Sequence, residues 1–430
     1  MAQLWDLGVR GTSLDVVAAW KEAAVLVAVV VVVWKVRRLP AVTAVDVLAA
    51  TYALVIVVYW LLPQGWLDGD AAARGELLAL RHHLFPVAAY ALGRLAALAW
   101  TERSRVAGLV VVTAVVVAVV GLVDVAVISL QAWRDSGVPG WYREQLGLDY
   151  GKGLSGLPEN WVYNTGDEEN PIRRLVSTFL SPLASAYLFV VALIYVLSRP
   201  FRWYWGVLAL LFFAALLYTH TRAAFAALAF GLVLLALRQR RFAPAVLAVL
   251  TVGASALFLV SYPSIGPSTS YTQDELEWLR ENARNEGPLP RGAIPTEDAS
   301  TESHWRNLRE GVRAVLEHPQ GRGLGNAGVV AKRTGVDIRA GESTYTELGV
   351  DAGVVGVAAF VLWSIALLIA LWRREAWPAA TFAAVLLLAL QTDVIGVHWI
   401  AFTIWAAAGL ALGLPRERSH PDEHGTAPAG

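Results

Sequence analysis

Two arginines stand where a phosphate-binding site at a membrane surface would need them. Arg174 opens one apolar run, and Arg222 opens another directly after Thr221. A guanidinium group holds a phosphate through two parallel hydrogen bonds, and ionisable groups at membrane depth are frequently functional. Each arginine also has a simpler explanation: Arg222 as an interfacial side chain that reaches lipid headgroups, and Arg174, taken alone, as a solvated loop end.

A carboxylate that can act as a general base precedes a later apolar run. Glu342 begins the stretch Glu342-Ser343-Thr344-Tyr345, and a carboxylate at the mouth of a helical bundle can accept a proton from a hydroxyl group. The same residue types form an ordinary helix N-terminus, with Ser343 or Thr344 as the cap and the glutamate at the positive end. Taken alone, the stretch is interpreted as a cap.

A glycine-rich segment runs from Gly321 to Gly328. No strand is predicted before it, which argues against a dinucleotide-binding loop. The simpler interpretation is a packing turn, although its N–H groups could help to hold an anion.

Eleven long apolar runs must position these residues. A run of about 20 apolar residues crosses a bilayer as one helix. The sequence therefore predicts an all-α polytopic membrane protein with about 11 transmembrane helices, within a range of about 10–12. The predicted spans are 18–36, 42–62, 81–100, 105–132, 174–198, 201–219, 220–238, 243–262, 344–372, 376–394 and 397–414.

Basic residues alternate between the two sides of these spans. Fourteen Lys and Arg residues lie in every second connection and the C-terminal tail, whereas the intervening short connections hold only Arg74, Arg81 and Arg222. Because the basic side is cytoplasmic, the N-terminus is predicted outside and the C-terminus inside. All candidate site residues then face outward.

The composition excludes several classes of protein. A chain of 430 residues that is 56% hydrophobic is not an ordinary soluble domain. A net charge of zero leaves no nucleic-acid-binding footprint. The absence of cysteine excludes disulfides and thiolate metal sites.

Two long connections fall on the predicted outer side, at 133–173 and 263–343. The second contains a predicted helix at 302–317, whose apolar stripe should lie on the bundle or at the lipid interface. Its first part, about 264–300, is expected to be mobile. The predicted organisation is 1–132 N-terminal helices, 133–173 outer loop, 174–262 central helices, 263–343 large extracytoplasmic loop, 344–414 C-terminal helices and 415–430 cytoplasmic tail.

Four segments occur in a characteristic order after residue 170. They are Arg174 to Ala186 with Ser177-Thr178-Phe179 and Pro182, Thr221-Arg222-Ala223-Ala224, Trp305 to Gly325 with His318-Pro319 and Gly323-Leu324-Gly325, and Glu342 to Gly356 with Tyr345, Glu347 and Asp351. Their order and spacing resemble those of the O-antigen ligase and polymerase family of bacterial membrane glycosyltransferases, over roughly residues 170–395.

The resemblance implies a fold, a reaction and roles for residues. The fold would be a GT-C-like helical membrane glycosyltransferase in the bacterial cytoplasmic membrane, with its active site facing the periplasm or exterior. The donor would be a glycan on a polyprenyl pyrophosphate, and the acceptor a hydroxyl group of a glycan or lipid. Arg222 and Arg174 would hold the pyrophosphate. No metal or cofactor is implied, and the implied partners are the lipid-linked donor, the acceptor and membrane lipids, with no nucleic acid.

Two departures from the family pattern affect which residue would act as the general base and which residues would contact the acceptor. Ligases carry a His-Asn pair where this chain has Glu342-Ser343, and the family's loop arginine falls on His304, with Arg306 two residues further on. Glu342 or His304 would then be the base, and Arg306 and Tyr345 would contact substrate. The Glu-Ser-x-Tyr form favours a polymerase over a ligase. A secondary transporter or lipid flippase is the alternative class, but we find neither inverted repeats nor broken helices in the sequence.

Overall fold

Helices occupy every apolar run identified in the sequence. The computed structural model describes residues 8, 20–36, 39–99, 104–163, 169–286, 299–337, 341 and 343–413. A short antiparallel sheet of β1 (Val162–Tyr163) and β2 (Ile172–Arg173) joins the helices. The α-helices are α1 (Trp20–Val36), α2 (Ala44–Leu61), α3 (Ala73–Ala99), α4 (Ser104–Val127), α5 (Leu130–Arg134), α6 (Val138–Gly140), α7 (Pro182–Leu197), α8 (Trp203–Tyr218), α9 (Arg222–Gln239), α10 (Phe242–Ile265), α11 (Gln273–Glu286), α12 (Ala299–Glu317), α13 (Gly328–Thr334), α14 (Thr344–Trp372), α15 (Ala376–Leu388) and α16 (His398–Gly413).

The helices confirm an all-α membrane protein. Five of them are long and apolar enough to cross a membrane, namely α2, α9, α10, α14 and the part of α4 from Ala107 to Val127. Four more apolar helices, α7, α8, α15 and α16, have 10–17 residues. Helix composition therefore makes this a multi-pass membrane protein, while the count of eleven spans stays a prediction.

Two predicted spans differ most from their helices, each at the N-terminal end. Residues 174–181, expected to open the fifth span, are not α-helical, and α7 begins only at Pro182. The Ser181 side chain caps α7 by accepting a hydrogen bond from the Ala184 N–H at 3.3 Å, and proline is well tolerated in a first helical turn. In contrast, α3 begins at Ala73, before the predicted start at 81. Arg174 therefore lies in an irregular segment, where its side chain can reach a neighbouring connection.

Helices α3 and α16 approach each other through glycine. A Cβ atom at Gly93 would lie 2.1 Å from the Ala406 carbonyl oxygen, and one at Gly409 would lie 2.2 Å from the Tyr90 carbonyl oxygen. The two backbones therefore touch without intervening side chains. Such contacts at small residues are typical of helices packed in apolar surroundings, and here they fix the position of α3 against the last helix.

The connections assigned by sequence to one side of the membrane meet at one end of the bundle. We call this the loop layer; it comprises the described residues of 62–72, 128–181, 219–221, 266–343 and 389–397. The Leu175 N–H donates to the Tyr218 carbonyl oxygen at 2.9 Å, and the Thr344 N–H donates to the Ala389 carbonyl oxygen at 3.0 Å. This shared end agrees with the alternating basic residues, although the side of the membrane it faces stays a prediction.

The expected mobility of about 264–300 is wrong for its first half. Helix α11 is anchored by buried Glu275, which pairs with Arg134 at 2.5 Å and accepts a hydrogen bond from Ser155 Oγ at 2.6 Å. Ile172 also forms a β-bridge with Ser268. Arg134 and Ser155 lie in the other long loop, so the two loops fold as one layer. The composition of residues 264–300 alone could not reveal this contact. Residues 287–298 lie outside the described residues.

Helix α14 is broken near its N-terminus, which corrects the expectation that no span is interrupted. Gly353 has φ 63° and ψ −172°, a conformation that favours glycine. The Val354 N–H donates to the Pro319 carbonyl oxygen at 2.9 Å, and the Val350 carbonyl oxygen accepts from the Arg322 N–H at 2.6 Å. Irregular backbone at membrane depth is tolerated where protein satisfies its polar groups, and the glycine-rich segment does so here.

The glycine-rich segment is thus a packing turn, as its simpler interpretation had it. A Cβ atom at Gly321 would lie 2.4 Å from the Gly353 nitrogen. The segment is also tied to the connection between α2 and α3, because the Asn326 side-chain amide donates to Gln64 Oε1 at 2.8 Å. At the end of α2, the Tyr59 hydroxyl donates to the Gln320 carbonyl oxygen at 2.7 Å.

The predicted loop helix exists as α12, and it packs on α14 through Gly311 and Val315, where a Cβ at Gly349 would lie 2.5 Å from Val315 Cγ2. Gly311 is buried and its Cα faces Thr346, where a Cβ would lie 2.9 Å away. Three other residues of the apolar stripe lie on the outer side of this contact, with Trp305 58%, Val312 46% and Leu316 71% accessible. The expectation that the stripe lies on the bundle or at the lipid interface stays a prediction.

Candidate active site

Arg174 and Arg222 come together at the connection between α8 and α9. Arg174 Nε donates to the Thr219 carbonyl oxygen at 2.9 Å, and its Nη2 donates to Thr221 Oγ1 at 3.2 Å. Arg222 follows directly as the first residue of α9. The irregular segment before α7 makes this contact possible, since it carries Arg174 across to the neighbouring connection. The structure thus juxtaposes the two arginines that the sequence singled out separately.

The two arginines form a half-buried cationic site. Burial lowers the pKa of Arg174 to about 10, and the nearby Arg222 cation adds to this lowering. Two like charges held close together repel each other, and a bound anion relieves this repulsion. The site is therefore suited to a ligand with more than one negative charge.

His220 lies beside these arginines with a buried nitrogen that has no protein partner. Its ring packs between Tyr163 and Tyr262, with ring centroids 4.1 Å and 4.9 Å away. Among the described residues, nothing forms a hydrogen bond with His220 Nε2. Burial first, and then the Arg174 and Arg222 cations, lower the pKa of His220 well below 6.5. The imidazole is therefore neutral at pH 7, and its Nε2 is the kind of buried polar atom that a ligand satisfies.

Arg173 points the other way and serves as an anchor. Its Nη2 pairs with Asp124 Oδ1 at 3.2 Å, and its Nη1 donates to the Ile128 carbonyl oxygen at 2.7 Å. The Trp133 indole N–H donates to the same Asp124 oxygen at 2.7 Å, and the Tyr262 hydroxyl donates to the Arg173 carbonyl oxygen. Asp124 is thus a structural polar contact that holds Arg173 and Trp133 in place.

Two histidine–aspartate pairs lie at the same end of the bundle. His82 Nε2 is 3.2 Å from Asp393 Oδ2, and His83 Nε2 is 3.0 Å from Asp351 Oδ2. The second pair is sealed, with side chains 4% and 5% exposed, whereas His82 and Asp393 are 13% and 10% exposed. The Asn326 N–H also donates to Asp351 Oδ1 at 3.0 Å. The His82–Asp393 pair combines partial access with a carboxylate that orients the imidazole, as a general base requires.

Tyr187 lies between the arginine site and this pair. It is 1% exposed on α7, and its side chain approaches Thr392, next to Asp393. It also lies within electrostatic range of Arg174. The arginine site and the His82–Asp393 pair are therefore neighbours across one buried tyrosine.

The other predicted site residues have different surroundings. His304 is partly buried on α12 and Arg306 is exposed. The Tyr345 hydroxyl donates to the Leu386 carbonyl oxygen at 3.0 Å, so it faces the bundle interior. Glu342 lies outside the described residues. Ser343 beside it is the first cap residue of α14, but its hydroxyl donates to the Ala389 carbonyl oxygen at 3.1 Å and makes no capping bond.

Sequence analysis missed His82, Asp393 and His220. His82 and His83 are adjacent histidines at the start of a predicted span, and Asp393 lies in a predicted span end. An ionisable residue in such a place is itself a signal. Their pairing, however, joins residues more than three hundred positions apart, which spacing along one helix does not reveal.

Comparison with known proteins gives a match for the centre of the chain. A family model described as O-antigen ligase matches residues 206–361. The match includes His220, Arg222, His304, Tyr345 and the break in α14, while Arg174, His82 and Asp393 lie outside it. A comparison with curated proteins finds no match. Residues 206–361 therefore form an O-antigen ligase family domain, of the kind that transfers glycans at a membrane.

Proposed function

We propose that the protein transfers a glycan from a polyprenyl pyrophosphate, such as undecaprenyl pyrophosphate, to a hydroxyl group of an acceptor glycan. The reaction would take place at the outer face of the bacterial cytoplasmic membrane and lengthen a polysaccharide. The O-antigen ligase family domain supports lipid-linked glycan substrates in general. The observation that carries the specific proposal is the site that brings together the half-buried Arg174 and Arg222 and the buried, neutral His220.

The site suits the leaving group of this reaction. The acceptor oxygen attacks the anomeric carbon, the bond from that carbon to the pyrophosphate oxygen breaks, and the bonding electron pair leaves with the lipid pyrophosphate. Negative charge therefore grows on the pyrophosphate. Arg174 and Arg222 would hold its oxygens, and the neutral His220 would pack beside them without adding a third positive charge. Donors fixed in place before the reaction stabilise a growing charge without reorganising.

The acceptor proton needs a base close to this charge. We assign that role to His82, which Asp393 orients at 3.2 Å and which lies across Tyr187 from Arg174. His82 would take the proton from the hydroxyl group as the new bond forms, and Asp393 would stabilise the resulting imidazolium. Glu342 and His304 are the alternatives suggested by the sequence. The variants described below separate His82 from Glu342, and a loss of transfer confined to His304→Ala would assign the base to His304.

A polymerase is favoured over a ligase by the Glu342-Ser343-Thr344-Tyr345 segment. A ligase would pass the glycan to lipid A–core or another final acceptor through the same chemistry. The break in α14 is a feature found in transporters. Here, however, the glycine-rich segment fills the break, so that the broken part of α14 holds this segment of the loop layer in place.

The reaction can be tested with purified protein in lipid nanodiscs. A polyprenyl-pyrophosphate oligosaccharide is supplied as both donor and acceptor, and product length is read on a gel. The polymerase proposal expects a ladder of products that each differ by one repeat. Products that form only when a lipid A–core acceptor is added would show a ligase, and no transfer to either acceptor would overturn the proposal.

A further inference from the structure

An open cavity of about 480 Å³ lies in the loop layer, between α11 and the loop that precedes β1. We call it the α11 groove and define it by Tyr150, Lys152, Asp274, Glu277, Trp278 and Glu281. Its volume falls within the range of about 300–1,000 Å³ found for small-molecule sites. None of the functional residues described above lines it.

One face of α11 supplies most of the polar lining. Asp274, Glu277, Trp278 and Glu281 follow the spacing i, i+3, i+4 and i+7, which places them on one side of a helix. The adjacent face is buried through Glu275 and Leu276. Among the described residues, no ion pair occupies Asp274, Glu277 or Glu281, so the fold presents three carboxylates that it does not itself use.

Two aromatic rings complete the groove at fixed positions. The edge of the Trp278 ring lies against the loop backbone, where a Cβ at Gly153 would be 2.9 Å from Trp278 Cζ3. Tyr150 packs edge-on against Tyr142 at 5.0 Å, and the Lys332 ammonium sits 4.8 Å from the Tyr150 ring centroid. Both rings are partly exposed, so they offer apolar surface to a ligand without needing to move.

This combination of groups matches the chemistry of a sugar. Pyranose rings expose C–H faces that pack on aromatic rings, and their hydroxyl groups donate to carboxylates and accept from ammonium groups. Four carboxylates, including Asp149, face only two cations, Arg143 and Lys152, along the groove. The excess of negative charge disfavours a ligand with carboxylates of its own.

We infer that the α11 groove binds saccharide units of the glycan, and that it selects neutral or amino sugars over uronic acids. The inference rests on the proposed function, because it supposes that a glycan passes through the loop layer. The same two long loops build both sites: the chain runs from Tyr150 to Tyr163, which contacts His220, and α11 follows the bridge from Ser268 to Ile172. The groove would hold the glycan at a distance from the reacting carbon.

Binding can be measured without turnover by fluorescence polarisation. The full chain in nanodiscs is titrated against labelled tetrasaccharides: glucan, galactan and mannan as neutral probes, chitosan as an amino-sugar probe, and tetragalacturonate as an acidic probe. We expect tighter binding of at least one neutral or chitosan probe than of tetragalacturonate. Trp278→Ala should weaken that binding about tenfold or more, and Trp278→Tyr, which keeps an aromatic face, should restore most of it.

Glu277→Gln and Trp66→Ala provide further comparisons. Glu277 is exposed, so its replacement leaves the fold intact and should narrow the preference for chitosan over tetragalacturonate. Trp66 is 76% exposed elsewhere in the loop layer, and Trp66→Ala should bind as the wild type does. Tightest binding of tetragalacturonate, unchanged binding by Trp278→Ala, or binding of none of the probes would overturn the inference.

The two proposals fail in different ways. Transfer that depends on Arg222, without any binding of tetrasaccharides, would support the proposed function and refute the inference that the α11 groove binds saccharides. Binding that depends on Trp278, without transfer in the nanodisc assay, would support saccharide binding in the α11 groove and refute the proposed reaction.

Discussion

Replacing Arg222 should separate catalysis from stability. Arg222→Gln removes one of the two cations proposed to hold the pyrophosphate, and Arg222→Lys keeps the charge but loses the planar fork. Arg174 can replace only part of this fork, because its Nε already donates to Thr219 and its Nη2 to Thr221. Loss of one preorganised donor to a growing charge lowers the rate by about 10²–10³, or about 2.7–4 kcal/mol of transition-state stabilisation.

The same change should leave the fold almost as stable as before. Arg222 lowers the pKa of Arg174, which means that the two cations repel each other in the folded protein. Removing Arg222 relieves this repulsion. It also removes the contact with the Tyr163 ring at 6.0 Å, which contributes about 0.5–1 kcal/mol at an exposed site. The two effects oppose each other, so the melting temperature should change by only about 2–4 °C.

The assay is transfer from a polyprenyl-pyrophosphate oligosaccharide in nanodiscs, run beside thermal unfolding of the same samples. Arg309→Gln and Arg309→Lys are matched controls, since Arg309 is exposed on α12 and should be replaceable without loss of rate. Full transfer by Arg222→Lys would place the pyrophosphate elsewhere. A loss of rate that follows a fall of the melting temperature would show that Arg222 is structural.

Three further results are expected. If His82 is the base, Asp393→Asn should lower the transfer rate about 10²–10⁴-fold at unchanged donor binding. If Glu342 is the base, Glu342→Gln should give this loss of rate, and Asp393→Asn should be close to normal. In either case, His304→Ala should lower the rate less. The pKa of His220 is lower in the folded protein than in the unfolded chain, so the unfolded state binds more protons below about pH 6.5. The free energy of unfolding should therefore fall by about 1.4 kcal/mol per pH unit as the pH drops below that value. His220→Phe should remove this slope in unfolding measurements between pH 5 and 7. Finally, the chain has no cysteine, so Glu281→Cys should react with an impermeant maleimide on intact cells while Arg240→Cys reacts only after permeabilisation, and the reverse pattern would refute the predicted topology.

Local sequence signals were sufficient for the helices and for the two arginines. Each predicted span overlaps a helix because apolar runs of this length have no other stable form in a bilayer. Arg222 was identified because a cation at the end of a span is conspicuous. Neither signal depends on what a residue contacts elsewhere in the chain.

The remaining features depend on contacts between distant segments. Glu275 anchors α11 through Arg134, and His82 pairs with Asp393; in each case the partners lie far apart in sequence. The close contact of Gly311 with Thr346 brings α12 against α14. No periodicity within either helix pairs these two residues, so the contact could not be predicted from the sequence.

The break in α14 has a consequence for how the protein is made. A span whose backbone is open at Gly353 cannot satisfy its own N–H and C=O groups, so it needs Pro319 and Arg322 from outside the helix. Both residues precede α14 in the chain and are synthesised before it. The segment that supplies these partners has therefore left the ribosome before α14 is synthesised, so α14 can complete its backbone hydrogen bonds as soon as it packs against that segment.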